Sequence, residues 1–170
     1  MKTVYLGLGS NVGDREQMLQ SAIDQLHSPD LRVMRLSSVY ETEPQERRNQ
    51  RWFLNMAVEA ATGLFPRQLL ARIGKIEQEL GRRRMAANGP RTIDIDILFY
   101  GNSVVETAAL TIPHPRFSER RFVLAPMSEL APELRHPISR RTIRELLTAT
   151  AGQGVKKVEF RPVVPREQQT

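Results

Sequence analysis

The sequence predicts an α+β fold in which helices pack on a mainly antiparallel sheet. Two observations predict it. The apolar periodicity follows the order strand, helix, strand, strand, helix, strand, and then shorter elements. Only two segments have the long apolar stripe of a helix, whereas a doubly wound parallel sheet needs more helices. This order is typical of a ferredoxin-like sandwich.

The first strand and helix are marked by an apolar run and a capping signal. Val4 to Leu8 is apolar and ends in a Gly-Ser-Asn turn, which is typical of a strand. Asp14 stands at the N-cap position, with Gln17 three residues later, close to a capping box. Apolar residues then recur at helical spacing at Met18, Leu19, Ala22, Ile23 and Leu26. Residues 31–40 predict a strand with imperfect alternation.

The next three elements repeat this pattern. Residues 52–60 alternate as a strand. Pro66 suits the first position of a helix, and Gly81 is expected to end it. The apolar stripe of this helix consists of Leu69, Leu70, Ile73, Ile76 and Leu80. Residues 92–100 predict a strong strand.

The remainder of the chain is broken by prolines into shorter elements. We expect a short helix around 119–130, a helix capped by Thr142 and Glu145, and a last strand over 155–160. The 170 residues and 40% hydrophobic content suit a single core. We therefore expect one domain over residues 1–160 and a flexible tail over 161–170.

The composition limits the possible functions. The absence of cysteine excludes disulfides and thiolate metal sites. No apolar run reaches the roughly 18 residues of a membrane span, and the first residues lack a signal peptide's apolar stretch, so we expect a cytoplasmic protein. The net charge of +6 comes almost entirely from arginine. Such a charge favours an anionic partner, either nucleic acid or a polyphosphate.

The most informative pattern is the pair of aspartates in residues 93–97. Strand alternation places three isoleucines on one face and Asp94 and Asp96 on the other. The two residues lie about 7 Å apart along the strand, so their charges repel. Carboxylates, phosphate oxygens and water are the ligands that magnesium prefers. The pair indicates a magnesium site or, alternatively, an ordinary exposed strand face.

Arginines lie close to this pair in the sequence. Arg82, Arg83 and Arg84 precede the strand, and Arg91 lies three residues before Asp94. Acids that bind metal, together with guanidinium groups that neutralise developing charge, are typical of phosphoryl transfer. The alternative is a solvated basic loop or a nucleic-acid patch.

Two further places carry candidate ligand-binding residues. His114 lies between Pro113 and Pro115, which restrict the backbone on both sides. Its imidazole is suited to donate to a phosphate, with a structural role as the alternative. Phe53 and Asn55 share one strand face, where a ring and a carboxamide together suit a flat heterocycle. Ordinary packing is the alternative for this pair.

Together these motifs resemble the hydroxymethyl-dihydropterin pyrophosphokinase family of folate biosynthesis. The resemblance covers about residues 3–137. Its most specific part is residues 89–98, which contain the string Gly-Pro-Arg-x-x-Asp-x-Asp. Weaker parts follow the family spacing at residues 7–11, 42–44, 53–55, 76–84, 112–116 and 119–124.

The resemblance implies a ferredoxin-like fold and a reaction with small-molecule substrates. ATP, the co-substrate, and 6-hydroxymethyl-7,8-dihydropterin would give AMP and the pterin diphosphate. Asp94 and Asp96 would hold two Mg²⁺ ions that bridge the triphosphate. Arg82 and Arg91 would assist the transfer from loops.

The resemblance also implies binding roles for further residues. The residues implied for ATP are Glu77, Arg84, Ile97, Thr111, His114 and Arg120. Arg84, His114 and Arg120 would contact phosphates, Ile97 would offer its backbone to adenine, and Thr111 would lie near the ribose. The residues implied for the pterin are Thr42, Phe53, Asn55 and Phe122. The two phenylalanines would sandwich the ring, and Asn55 and the backbone near Thr42 would read its edge.

The sequence departs from the family pattern at several positions. Phe53 stands where many members have tyrosine, and Gly74 stands where many have glutamine. Ala87 and Asn88 replace the usual Arg-Trp before the Gly-Pro-Arg string. These departures leave open a slower enzyme or a shifted substrate.

Two other functions are compatible with parts of the pattern. An RNA-binding ferredoxin-like module would explain the charge and the aromatic residues on a sheet face, but it gives no role to Asp94 and Asp96. A metal-dependent nucleotidyl- or glycosyltransferase would also use an Asp-x-Asp pair. We expect the pyrophosphokinase, a monomer with no nucleic-acid or membrane partner.

Overall fold

The structure is a computed structural model that describes residues 1–42, 52–82 and 93–166, with only the backbone of Arg82. The strands are β1 (Lys2–Ser10), β2 (Leu31–Leu36), β3 (Tyr40–Thr42), β4 (Phe53–Thr62), β5 (Asp94–Tyr100), β6 (Val105–Glu106), β7 (Thr111–Ile112) and β8 (Val155–Lys157). The helices are α1 (Arg15–Leu26), α2 (Pro66–Arg82), α3 (Arg121–Leu130) and α4 (Ile143–Thr148), with a 3₁₀ turn at Phe117–Glu119.

The main sheet has the order β5-β1-β4-β3-β8. β3 and β2 pair with the same edge of β4, β3 with its first residues and β2 with its last. All of these pairs are antiparallel. The four long strands therefore lie in the order β5-β1-β4-β2, which is the order of a ferredoxin-like sandwich. The predicted α+β fold is confirmed. A separate hairpin of β6 and β7 lies beside β5.

The first face of the sheet is covered by α1 and α2 over the larger apolar core. The Asp14 side chain accepts a hydrogen bond from the Gln17 N–H, which confirms the predicted N-cap of α1. The predicted end of α2 at Gly81 is wrong, because the helix continues to Arg82. An interior glycine costs a helix only about 1 kcal/mol. The packing of Leu80 in the core outweighs this cost.

Among the described residues, α3 and α4 cover one end of the second face, over a smaller apolar cluster. The predicted helix around 119–130 corresponds to α3, and Thr142 caps α4 as predicted by accepting from the Glu145 N–H. A register shift between Tyr5 and Leu6 inserts one extra β5 residue. Leu98 and Phe99 therefore both enter this cluster. The other end of this face is the region that carries the candidate site.

Two predicted elements differ in extent. The strand expected over 31–40 is divided into β2 and β3, because the Ser37 hydroxyl accepts the hydrogen bond of the Ala57 N–H and interrupts the ladder. The last strand, expected over 155–160, ends at Lys157. Beyond it, Val163 exchanges two hydrogen bonds with the Gln20 side chain on α1. Within the described ranges, no helix is long and apolar enough to cross a bilayer.

Candidate active site

The site lies on the second face of the sheet, where paired residues form a line across four strands. Asp94 pairs with Gly9, Gly9 with Asn55, and Asn55 with Tyr40. Directly paired residues point to the same face. Because strands lie about 4.8 Å apart, Asp94 and Asn55 are about 10 Å apart across the glycine. The face between the acid and the amide therefore carries no side chain at Gly9.

Gly9 is required by close packing. A Cβ at this position would lie 2.9 Å from Asn55 Oδ1, closer than side chains tolerate. The Asn55 Nδ2 donates to the Thr42 hydroxyl oxygen at 2.8 Å, and both residues are buried, with 8% and 5% exposure. This bond orients the carboxamide and leaves Oδ1 as an acceptor beside Gly9. Phe53 pairs with Thr42 and is half-buried.

The two aspartates lie on the face predicted by the alternation. Asp94 is half-buried, and the Asp96 side chain is 55% exposed. The isoleucines that alternate with them, at positions 93, 95 and 97, belong to the core on the other face. The Ile97 side chain is therefore buried, so a contact with a ligand would have to come from its backbone. The predicted separation of acids from isoleucines is confirmed.

The donor set suits a magnesium ion. No group of three or more His, Cys, Asp or Glu residues that could hold a metal occurs among the residues described. Magnesium differs from most metals in this respect, since it commonly takes one or two carboxylates from the protein and completes its octahedron with water and substrate phosphates. A pair of aspartates on an open sheet face matches that requirement.

His114 faces this pair. Its Nε2 lies 4.0 Å from Asp96 Oδ1, and its Nδ1 accepts from the Arg116 N–H at 3.4 Å. The neutral ring thus carries its hydrogen on Nε2. Burial lowers the pKa of His114. The charge of Asp96 acts in the opposite direction, but burial together with the positive charges of Arg120 and Arg116 outweighs it. His114 therefore presents a neutral N–H donor toward Asp96.

Glu77 contacts the strand that carries the acids. Its Oε2 accepts from the Ile95 N–H at 3.2 Å, at the residue between Asp94 and Asp96. The structure thus places Glu77 beside the candidate metal site, on the strand edge that faces α2. The carboxylate holds the β5 backbone at this point.

The start of α3 adds a cation and a ring. The guanidinium carbon of Arg120 lies 5.7 Å from the centroid of the Phe122 ring, within the range of a cation–π interaction. Arg120 also lies close enough to His114 to affect its pKa. Arg120, which precedes α3, and Phe122 within it are both half-buried, so each keeps surface for a ligand.

The remaining predicted residues are less informative. Thr111 is exposed on β7 and pairs with Glu106. Arg82 is described only in its backbone, at the last position of α2. Arg84 and Arg91 lie outside the described residues, as do Ala87 and Asn88.

One cluster on this face was missed by the sequence analysis. The Glu129 carboxylate on α3 accepts from the Ser38 N–H at 3.0 Å, from the Ser38 hydroxyl at 2.8 Å, and from the Tyr40 hydroxyl. The alternation of Tyr40 with Thr42 predicts that Tyr40 faces the site. No local pattern points to Glu129, because it lies 91 residues from Ser38 along the chain.

An open antiparallel sheet face with two acids, a neutral histidine and an arginine suits an enzyme that acts on phosphates. The family model described as 7,8-dihydro-6-hydroxymethylpterin-pyrophosphokinase (HPPK) matches residues 5–132. This match covers most of the chain, and the chain belongs to the HPPK family. The resemblance inferred from the motifs is thus confirmed.

Curated relatives agree with this family, and a solved structure shares the fold. The chain is 45% identical over 145 residues to 2-amino-4-hydroxy-6-hydroxymethyldihydropteridine pyrophosphokinase of Aquifex aeolicus, covering 85% of this chain and 90% of the relative. It is 48% identical over 131 residues to the Bacillus subtilis enzyme of the same name, covering 76% and 78%. The HPPK-DHPS of Plasmodium falciparum with pteroate shares the fold, with a TM-score of 0.74 at 16% identity. That comparison covers 89% of this chain and 44% of the longer one.

Proposed function

We propose that the chain transfers a diphosphate group from ATP to the hydroxymethyl group of 6-hydroxymethyl-7,8-dihydropterin, in folate biosynthesis. Membership of the HPPK family carries this proposal. The pterin hydroxyl oxygen bonds to the β-phosphorus of ATP, and the bond from that phosphorus to the oxygen bridging the α-phosphorus breaks. AMP leaves with the bridging oxygen, and the hydroxyl proton passes to solvent.

Asp94 and Asp96 would hold two Mg²⁺ ions, which would neutralise the triphosphate and the charge that develops on it. Their position on one open face, away from the isoleucine core, supports this role. Glu77 supports the same strand from its edge through the Ile95 N–H. No protein nucleophile is required, because the reaction depends on positioning and electrostatic stabilisation.

The phosphates would be bound by His114 and by arginines. The neutral Nε2–H of His114 faces the acid pair and is available as a donor. Arg120 supplies a charge beside it. Arg84 would bind phosphate, and Arg82 and Arg91 would assist the transfer. The rest of ATP would be bound by the Ile97 backbone at the adenine and by Thr111 near the ribose.

The pterin would lie against the Asn55 end of the same face. Because Nδ2 of Asn55 is engaged with Thr42, its Oδ1 is left to accept from the amino and ring N–H groups on the edge of a pterin. Phe53 and Phe122 are half-buried, so each has ring surface available for stacking on a flat heterocycle. The acceptor on Asn55 therefore favours a ligand that presents donors.

The positive charge of the chain is explained by the phosphates of ATP rather than by nucleic acid. We propose accordingly that the enzyme works as a monomer in the cytoplasm, with no nucleic-acid or membrane partner. Residues 1–160 would form its single domain.

The test is AMP formation from ATP and Mg²⁺, with and without the reduced pterin. We expect pterin-dependent AMP from the natural chain and none above background from the Asp94→Ala, Asp96→Ala double variant. Asp24→Ala is the matched control, because Asp24 is exposed on α1 at the other face. Formation of pyrophosphate instead of AMP would favour a nucleotidyltransferase. Salt-sensitive RNA binding without pterin binding would favour the RNA-binding alternative.

A further inference from the structure

We infer that Arg15 is a positioning residue for the pterin end of the site, an inference that rests on the proposed function. Arg15 is the first residue of α1, on the face opposite the site. Its Nη1 donates to Glu41 Oε2 at 3.0 Å and to the Trp52 carbonyl oxygen at 2.8 Å. Its side chain is 19% exposed, so the guanidinium is largely enclosed by these contacts.

The two partners of Arg15 directly adjoin two proposed pterin residues. Glu41 precedes Thr42, and Trp52 precedes Phe53. Thr42 and Phe53 pair with each other at the end of the β3–β4 ladder. One guanidinium therefore holds both strands at the point where they present the pterin residues.

Arg15 acts through the backbone and does not touch the pterin. Side chains alternate along a strand, so Glu41 points to the face opposite Thr42. The site face thus carries the pterin residues, and the other face carries the Arg15 contacts. Thr42 in turn orients the Asn55 carboxamide at 2.8 Å, which extends the influence of Arg15 to that acceptor.

Arg15 holds the end of a short strand. Among the described residues, β3 has three, which pair with β4 on one side and with β8 on the other. A guanidinium contacts an acid and a carbonyl together because it presents several fixed donors, whereas an ammonium is a more strongly hydrated point charge. Lys156 pairs with Glu41 from β8 and provides a second nearby cation, so the effect of losing Arg15 is limited.

The experiment compares Arg15→Met with Arg72→Met. Arg72 is a control of similar kind, because it too contacts an acid, Asp30 at 3.6 Å, and donates to a second oxygen, the Ser28 hydroxyl, at 3.0 Å. These contacts lie at the opposite end of β4, near Thr62. We expect Arg15→Met to raise KM for the pterin about tenfold, the equivalent of one charge-assisted hydrogen bond, with KM for ATP unchanged. Arg72→Met should change neither constant.

Three further measurements separate positioning from general stability. Arg15→Lys should restore part of the pterin KM, and the equilibrium Kd for the pterin should rise with KM. The double variant Glu41→Gln, Arg15→Met should raise the pterin KM by less than the product of the two single increases, because both changes break the same contact. Equal increases in both KM values, or a fall in Tm with no change for the pterin, would overturn the inference.

Failure of the proposed function gives a different result. If the natural chain binds the pterin but forms no AMP, the reaction is refuted, and the Kd for the pterin still tests Arg15. If the natural chain does not bind the pterin at all, both the function and the role of Arg15 are refuted.

Discussion

Two acidic groups on the same face of the sheet differ in what their oxygens contact. Glu129 receives two hydrogen bonds from Ser38 and one from Tyr40, both of which are buried. Asp96 is more than half exposed, and its contact with the neutral His114 is long, at 4.0 Å. Glu129 thus satisfies donors of the fold, whereas Asp96 faces the open part of the site.

The pKa directions of Glu129 and Tyr40 agree with a structural role for Glu129. Burial tends to raise the pKa of Glu129, but hydrogen bonds from Tyr40 and Ser38 and the charge of Lys157 outweigh it, so the pKa lies below its ordinary value. Burial and the adjacent carboxylate raise the pKa of Tyr40. Glu129 is therefore ionised and Tyr40 neutral over the physiological range. An acid surrounded by donors in this way has a structural role, and an exposed acid beside a like charge is suited to a cation.

The substitution with the largest expected effect on activity is Asp96→Asn. Removing one carboxylate from the proposed metal site should lower the rate of AMP formation by roughly 10²–10³-fold. Because Asp96 is exposed, the free energy of unfolding should change by less than about 0.5 kcal/mol. Steady-state kinetics and chemical denaturation check both parts. An Asp96→Asn variant with full activity would show that Asp96 does not belong to the metal site.

Glu129→Ala should show the opposite combination. It removes the acceptor of the Ser38 and Tyr40 donors, and we expect a loss of about 1–2 kcal/mol of folding free energy, limited because water can reach the exposed side chain. The enzyme should retain activity at temperatures where it is folded. A Glu129→Ala variant with normal stability and no activity would reverse the assignment of the two acids.

The dependence on pH follows from the lowered pKa of Glu129. The pKa of this carboxyl is roughly 4.3 in the unfolded chain and lower in the folded chain. Its contribution to the free energy of unfolding is therefore complete above the unfolded value. It is lost as the pH falls through the folded pKa. Acid unfolding of the natural chain and of Glu129→Gln should therefore converge as the pH falls below the folded pKa of Glu129. A stability difference that persisted unchanged in strong acid, at about pH 2, would contradict this.

The smallest effects distinguish two glycines. Gly9→Ala forces Asn55 Oδ1 away from a Cβ 2.9 Å distant, so it should weaken pterin binding about 3- to 10-fold, equivalent to part of one hydrogen bond. Gly74→Ala on α2 meets nothing within 4 Å and should stabilise the fold by about 0.5–1 kcal/mol. Titration calorimetry and thermal unfolding check the pair. Equal pterin affinities in the two variants would show that Asn55 does not need the space at Gly9.

Local patterns predicted the elements and part of the site. Alternation separated Asp94 and Asp96 from the isoleucine core, and the signals at Asp14 and Thr142 marked helix starts that the structure confirms. Local patterns failed where a neighbouring element decided the outcome. Ser37 divides the strand expected over 31–40 because its hydroxyl replaces a backbone acceptor for β4.

The sequence by itself determined the family, the order of the elements and the face on which the two acids lie. These follow from periodicity and short motifs, which need no knowledge of distant contacts. The tertiary structure alone decided that Glu129 bonds Ser38 and that Arg15 holds Glu41 and Trp52. The physical reason is that a hydrogen bond between residues far apart in the chain depends on how the strands and helices pack. Such a contact leaves no periodic trace in the sequence.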